Sequence, residues 1–226
     1  MTRPIIIALT GPAGSGKDTV ADTLVTHAGF VKLAFADALR LEIAAAFGLG
    51  AHQYGVLSDR ATKEHPTPML ALMHCHDDAF FNVAYRMLAD DGTVWAVRER
   101  SPRQIMQWWG TEYRRAQDPD YWVRRLGERV ADLMVQGERR FVVSDCRFVN
   151  EARTIRSMGG EVWRVLRPGA EHLAGQHLSE TEGMTITPEL TLHNGSGIID
   201  LAHTTLRALT SRHGGAVLPD DLVEQP

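Results

Sequence analysis

A glycine-rich turn near the N-terminus constrains the fold of this chain more than any other feature. The run Gly11-Pro12-Ala13-Gly14-Ser15-Gly16-Lys17 follows an apolar stretch at 4–9 and precedes a segment with helical periodicity. Glycines allow successive backbone N–H groups to form a concave anion site, and the positive end of the next helix points to the same place. A strand, a glycine-rich turn and a helix in this order predict a phosphate-binding loop.

Lys17 is expected to reach the outer phosphates of a bound nucleotide as a point charge. The residues expected to bind this cofactor in and after the loop are Gly11, Ala13, Gly14, Ser15, Gly16, Lys17, Asp18 and Thr19. Asp18 stands where a Ser or Thr hydroxyl usually contacts magnesium. Thr19 either supplies that hydroxyl or caps the helix, and the sequence leaves both alternatives open.

The composition indicates an ordinary soluble globule of 226 residues, with 44% hydrophobic and 23% charged residues. A net charge of −4 disfavours a long nucleic-acid-binding surface. The two cysteines, Cys75 and Cys146, cannot build a disulfide framework and favour a reducing, cytoplasmic compartment. The apolar run at 5–9 is too short for a signal peptide or a membrane span, so we expect no membrane association.

Hydrophobic patterns alternate between strands and helices, which predicts an α/β fold with a doubly wound parallel sheet of five strands. We place strands at 4–9, 30–35, 141–145, 161–166 and 190–193, and helices at 16–28, 37–47, 67–77, 79–90, from 101, 121–136, 148–158 and 198–212. Two stretches show no helical or strand-like periodicity of hydrophobic residues. We expect a functional loop at 49–66 and a lid-like loop at about 167–188.

Ligands of such sheets bind beyond the carboxyl ends of the strands, where Asp37, Asp145, Arg147, Arg167 and Asn194 are expected. Phosphoryl transfer needs positioning, a magnesium ion and positive charge around the migrating group. Asp145 could hold magnesium through water, with Thr19 as the second candidate metal contact, or it could cap the following helix. Arg147 is a candidate for stabilising the transition state.

The helix that opens at Ser101 carries unusually full signals, with Ser101 as N-cap and Pro102 at the first helical position. Arginines on two helices could each bind a phosphate, a glutamine could pair with a base, and a tryptophan could stack on it. The residues expected to bind the acceptor are Asp37, Arg40, Lys63, Arg103, Gln107 and Trp108. Adjacent helical residues point about 100° apart, so at least one of Trp108 and Trp109 should belong to the core.

The run Ser101-Pro102-Arg103-Gln104-Ile105-Met106-Gln107-Trp108-Trp109-Gly110-Thr111-Glu112 resembles the SPRxxxQxxGTE signature of bacteriophage deoxynucleoside monophosphate kinases. Further similar segments are 16–19, 35–40, 63–64, 145–151, the His177-x-Ser179-Glu180 element and Asn194-Gly195. The resemblance implies one P-loop kinase domain, 1–226, with strand order 2-3-1-4-5 and a helical acceptor-binding insertion at about 49–136. It also implies ATP and Mg²⁺ as cofactors, with Asn194 near the bound nucleotide, and a deoxynucleotide acceptor.

The leading interpretation is an ATP-dependent kinase that converts a deoxynucleoside monophosphate (dNMP) to the diphosphate for viral DNA synthesis in the host cytoplasm. Lys17, Asp37, Asp145 and Arg147 are the expected catalytic residues. A related kinase acting on a hydroxyl, such as 5-hydroxymethyluracil in phage DNA, is the closest alternative, and Asp37 would then be its base. The second alternative is a switch protein that binds nucleotide and transfers no phosphoryl group. The acceptor base and the oligomeric state, including a homodimer, stay open, as does the role of the histidine-rich segment 65–77.

Overall fold

The computed structural model describes residues 3–59, 61–88, 94–169 and 178–214, with the backbone alone for 178–181. The chain divides into two compact units. The first consists of Met1–Phe35 and Leu126–Pro226, and the second of Ala36–Arg125. In chain order the α-helices are α1 (Lys17–Ala28), α2 (Phe35–Ala46), α3 (Ala51–Tyr54), α4 (Asp78–Leu88), α5 (Pro102–Gln107), α6 (Tyr121–Val135), α7 (Val149–Ser157), α8 (Leu178–Thr185) and α9 (Ile198–His213).

A five-stranded sheet forms the centre of the first unit. Its strands are β1 (Ile5–Thr10), β2 (Val31–Leu33), β3 (Arg140–Val143), β4 (Glu161–Leu166) and β5 (Leu190–His193). The order is β2-β3-β1-β4-β5 and every pairing is parallel, with Ile7 opposite Val142 on one side and Glu161 on the other. The predicted order is confirmed. Because parallel strands share a direction, their carboxyl ends lie along one edge of the sheet.

The core of the first unit follows the predicted hydrophobic patterns. Residues 6–9 of β1 are almost fully buried, as expected for a parallel strand covered on both faces. Val20, Leu24 and Ala28 form the buried stripe of α1. The helix ends at Gly29, whose φ of +64° suits glycine and whose N–H donates to the Leu24 carbonyl. These signals are local, so they can be predicted from the sequence.

The second unit is helical and surrounds an aromatic core. The ring of Phe80 lies 6.5, 4.5 and 5.7 Å from the rings of Phe47, Trp109 and Tyr113. After α5 the helix widens into a π-helix, Trp108–Arg115. Such widened turns are rare and occur often at functional sites.

Two predicted elements differ from the structure. The helix expected at 67–77 is replaced by short 3₁₀ turns, Pro68–Leu70 and Leu72–His74, which are separated by an extended residue at Ala71. Helix α3 lies inside the loop expected at 49–66. Of the lid-like loop at 167–188, residues 170–177 lie outside the described residues and Leu178–Thr185 is helical. No helix in the described ranges combines the length and apolar character needed to cross a bilayer.

Candidate active site

The phosphate-binding loop follows β1 directly and depends on glycine at several positions. Gly11, Gly14 and Gly16 have φ values of +133°, +74° and +110°. A Cβ atom at Gly11 would stand 2.3 Å from the carbonyl oxygen of Val165 in β4. Any larger residue at position 11 would therefore strain the backbone and collide with the neighbouring strand.

Lys17 begins α1 and folds back over the loop. Its Nζ donates to the carbonyl oxygens of Gly11 and Pro12, both at 2.7 Å. This geometry holds a positive charge on the loop. A bound anion would offer better acceptors for the same ammonium group, because charge-assisted hydrogen bonds are stronger than bonds to neutral carbonyls.

The interior of the loop is braced from the far end of the chain. The side-chain amide of Asn194, just after β5, donates to the backbone carbonyl of Ser15 at 3.0 Å. The Ser15 side chain is fully buried, and its Oγ has no hydrogen-bond partner among the described residues. Ala13 and Gly14 are exposed at the tip. Asn194, expected near the nucleotide, therefore binds the loop itself.

The two residues after Lys17 have different surroundings. A carboxylate oxygen of Asp18 lies 3.5 Å from Nζ of Lys32, which is closer to Asp22 at 2.8 Å. Gly16 is the N-cap of α1, so the alternative in which Thr19 caps this helix is wrong. Thr19 lies in the first turn, partly exposed, and remains a candidate for the metal contact.

Asp145 follows β3 at the same sheet edge. Its Oδ1 accepts a 2.7 Å hydrogen bond from the N–H of Phe35, where α2 begins. The alternative in which Asp145 caps α7 is wrong. That helix has Phe148 as N-cap, and buried Glu151 accepts from the N–H groups of Arg147 and Phe148 at 2.8 and 3.1 Å. The Arg147 side chain is exposed.

The end of α8 is attached to the same edge. Nη2 of Arg164 in β4 donates to the carbonyls of Gly183 (3.3 Å), Met184 (3.2 Å) and Ile186. The hydroxyl of Thr10, the residue before the phosphate-binding loop, donates to Gly183 at 3.4 Å. Burial lowers the pKa of the Arg164 guanidinium. The sequence analysis missed Arg164, because an arginine within a strand carries no signal for such a contact.

In the second unit, Asp37 and Arg40 form an ion pair on α2. Nη1 of Arg40 donates to Oδ1 of Asp37 at 3.0 Å, and the buried Nε has no hydrogen-bond partner among the described residues. The side chain of Tyr54 lies near the charges of both Arg40 and Asp37. Burial raises its pKa, and Arg40 and Asp37 act on it in opposite directions. Tyr54 is an additional candidate that the sequence analysis did not identify.

Arg103 in the first turn of α5 is held by the 63–64 segment. Its Nε donates to the Glu64 carboxylate, and its backbone N–H donates to the Lys63 carbonyl at 2.9 Å. Ser101 caps the helix as predicted, since its Oγ accepts from the N–H of Gln104 at 3.2 Å. Lys63 therefore reaches the helix through its backbone, and Glu64 supplies the carboxylate that the sequence analysis had not assigned.

The adjacent tryptophans differ as expected. Trp109 is buried in the core, and its indole N–H donates to Glu42 at 2.9 Å. Trp108 and Gln107 are half-buried, and the Arg100 guanidinium lies 5.3 Å from the centre of the Trp108 ring. Trp108 is thus the tryptophan that could stack on a base.

The predicted residues form two groups. The first unit brings together the phosphate-binding loop, Asp145 and Asn194 at one sheet edge, with exposed Arg147 in the loop before α7. The second unit holds the Asp37–Arg40 pair, the Lys63–Arg103 contact, Gln107 and Trp108. Within the described ranges, no three His, Cys, Asp or Glu residues form a metal-binding cluster.

Comparisons with known proteins found a matching family, a viral relative and a solved structure. The model of the family described as Deoxynucleotide monophosphate kinase matches residues 63–204. A protein of Acanthamoeba polyphaga mimivirus, provisionally described as a deoxynucleotide monophosphate kinase, is 28% identical over 174 residues, covering 73% of this chain and 75% of its own. The solved structure of the dephospho-CoA kinase from Campylobacter jejuni is 12% identical with a TM-score of 0.44, over 91% of this chain and 96% of that chain.

Proposed function

Because this chain belongs to the deoxynucleotide monophosphate kinase family, we propose that it transfers the terminal phosphoryl group of ATP to the phosphate of a dNMP. That it is a nucleotide kinase is supported by the family match and by the mimivirus relative. In the proposed reaction an oxygen of the acceptor phosphate forms a bond to the γ-phosphorus. The bond from that phosphorus to the β,γ-bridging oxygen breaks, leaving ADP and a deoxynucleoside diphosphate.

Arg40 and Arg103 of the second unit carry the choice of a monophosphate acceptor. Arg40 and Arg103 have side chains that are 22% and 32% exposed, and each is oriented by a carboxylate, Asp37 or Glu64. A planar guanidinium binds phosphate oxygens in pairs, and a carboxylate partner fixes its direction beforehand. In a hydroxyl acceptor such as 5-hydroxymethyluracil the reacting group itself carries no charge, so these two cations would face the DNA backbone and not the reacting group.

The phosphate-binding loop supplies the donor side. The glycine conformations at 11, 14 and 16 and the Lys17 ammonium group fit the phosphates of ATP. The Ser15 Oγ, which has no hydrogen-bond partner in the part of the chain that the structure describes, is a buried polar atom that a ligand would satisfy. Lys17 would exchange the carbonyls of Gly11 and Pro12 for phosphate oxygens. Its charge then follows the migrating group, which is the contribution that phosphoryl transfer requires from the protein.

The residues at the sheet edge also fit Mg²⁺. In kinases this ion takes one or two side-chain oxygens and completes its shell with substrate phosphates and water. Asp145, oriented by the N–H of Phe35, would hold the ion through water, and Thr19 would be the second contact. When bound, Mg²⁺ neutralises charge that builds up on the phosphates.

The acceptor base would bind beside α5. Arg100 covers one face of Trp108, so we propose that the base stacks on the other face. Gln107, one turn after Arg103 on the same helix, would pair with the edge of the base. This arrangement lets Arg103 bind the phosphate while the neighbouring residues select the base.

A panel of acceptors tests the proposal. The protein is incubated with ATP, Mg²⁺ and each of the four dNMPs, the four ribonucleoside monophosphates, deoxynucleosides or DNA containing 5-hydroxymethyluracil, and phosphorylated product is scored. We expect product with at least one dNMP. Labelling of the modified DNA with no reaction of any dNMP would contradict the proposal and support the hydroxyl acceptor. Nucleotide binding without any product would support a switch.

A further inference from the structure

Glu42 of α2 accepts hydrogen bonds from three side chains of the second unit. Its Oε2 accepts from the indole N–H of Trp109 at 2.9 Å and from Nε of Arg114 at 2.8 Å. Its Oε1 accepts from the hydroxyl of Tyr121. The donors belong to the π-helix and to the first turn of α6. One carboxylate therefore joins α2 to two helical segments that lie 67 to 79 positions further along the chain.

The cation of this cluster is enclosed by aromatic rings. The guanidinium carbon of Arg114 lies 4.4 Å from the ring of Tyr113, 5.0 Å from that of Tyr121 and 5.8 Å from that of Trp109. Burial lowers the pKa of Arg114, but the hydrogen bond and charge of Glu42 outweigh burial and raise it. Both charges are already engaged with protein groups, so Glu42 is not suited to bind a ligand itself.

Glu42 is placed to act through its neighbours. Arg40 precedes it by two residues on α2, and Trp108 is adjacent to its partner Trp109. Helix α2 and the π-helix approach closely here, as shown by the 3.5 Å that would separate a Cβ atom at Gly110 from the side chain of Leu39. Because the Glu42–Trp109 hydrogen bond joins α2 to the π-helix, a shift at Glu42 would move the backbones that carry Arg40 and Trp108 relative to each other.

We propose that Glu42 is a positioning residue for the acceptor site, which sets the placement of the phosphate-binding Arg40 relative to the base-binding Trp108. The inference rests on the proposed function. The Glu42–Arg114 pair is partly buried, and an ion pair removed from water often adds little net stability compared with an apolar replacement. A polar network whose hydrogen bonds are all made, by contrast, favours one geometry over others. Glu42 would thus fix the geometry in which the acceptor binds and take no part in the phosphoryl transfer itself.

Two substitutions separate positioning from charge. In Glu42→Gln the amide oxygen can still accept from Trp109 and Arg114, and the amide nitrogen can donate to the Tyr121 hydroxyl. Glu42→Leu has similar bulk and loses all three bonds. With the acceptor that the panel identifies, we expect Glu42→Leu to raise the acceptor KM about tenfold or more. Misplacing a substrate-positioning group by about 1 Å can lower the rate of an enzyme about a hundredfold, so even a small shift should be measurable. The ATP KM should stay within about twofold, and Glu42→Gln should recover most of the acceptor affinity.

Asp118→Asn is the matched control. It removes a carboxylate that pairs with Arg124 at 2.5 Å in the same unit but lies on neither α2 nor α5, so the acceptor KM should not change. Should Glu42→Leu not fold, Trp109→Phe removes one bond and keeps an aromatic ring, and a rise confined to the acceptor KM is expected again.

An unchanged acceptor KM in folded Glu42→Leu, or equal rises in both KM values, would overturn the inference. If the wild-type protein uses no dNMP but another acceptor in the panel, the proposed function fails. The Glu42 variants are then measured with that other acceptor, so the two failures remain distinct.

Discussion

Replacing Lys17 with methionine tests the donor site directly. The substitution keeps the length and apolar stem of the side chain but removes the ammonium group, which donates to the carbonyls of Gly11 and Pro12 at 2.7 Å each. During transfer the same group would follow the charge of the migrating phosphoryl group. Removing one such donor costs about 3–4 kcal/mol of transition-state stabilisation, which is roughly a hundredfold to a thousandfold in kcat.

The effect on stability should be much smaller. Hydrogen bonds to charged groups contribute about 1.5–3 kcal/mol when buried, but Lys17 is half-buried and water can replace the ammonium group at both carbonyls. We expect a loss of about 1–2 kcal/mol in the free energy of unfolding. For a chain of this size that lowers Tm by roughly 2–8 °C.

Steady-state phosphoryl transfer with ATP, together with thermal unfolding, separates the two effects. Lys32→Met is the control, because Lys32 lies in the same unit and pairs with Asp22 at 2.8 Å without contacting the loop carbonyls. It should retain wild-type activity. A folded Lys17→Met protein that keeps more than about a tenth of the wild-type kcat would refute the reasoning.

Three further substitutions test the remaining roles. Arg103→Ala should raise the acceptor KM by about tenfold or more, from the loss of about 1.5–3 kcal/mol, and leave the ATP KM unchanged in steady-state kinetics; a defect confined to the ATP KM would place Arg103 on the donor side. Asp37→Asn should retain a substantial fraction of kcat, because Asp37 orients Arg40 and removes no proton from a monophosphate; a fall of roughly 10²–10⁴ would indicate a general base and a hydroxyl acceptor. Asp145→Asn should raise the Mg²⁺ concentration needed for half-maximal rate at saturating ATP; an unchanged Mg²⁺ titration would limit Asp145 to its bond with Phe35.

The segment 67–77 shows where the sequence prediction and the structure differ. A helix is predicted there, but Pro68 starts only a 3₁₀ turn and Ala71 is extended with ψ of 135°. Proline is tolerated at the first position of a helix, so Pro68 does not by itself explain the break. The N–H groups of Met73 and His76 donate to the carbonyls of Ala96 and Ala46 at 2.9 and 2.7 Å, so hydrogen bonds to distant segments replace the helical ones.

Contacts between distant residues could not be predicted. Asn194 bonds Ser15 across 179 positions, and Glu42 bonds Trp109 and Tyr121 across 67 and 79. Asn194 was expected at the carboxyl edge of the sheet and near the nucleotide, but its bond to the phosphate-binding loop could not be predicted. Glu42 resembles any polar residue on an amphipathic helix, so nothing in the sequence distinguished it.

The sequence by itself determined the strand, loop and helix around Lys17, the cap at Ser101 and the exclusion of one tryptophan from the site. Each depends on local backbone preferences or on helical periodicity, which a few neighbouring residues set. Only the tertiary structure decided that Glu151, and not Asp145, accepts the hydrogen bonds of the N–H groups at the start of α7. It also decided that Glu64 orients Arg103 and that Arg164 binds the carbonyls at the end of α8. Those partners are chosen by the packing of segments distant in the chain, because a carboxylate or guanidinium binds whichever complementary group the fold brings within reach.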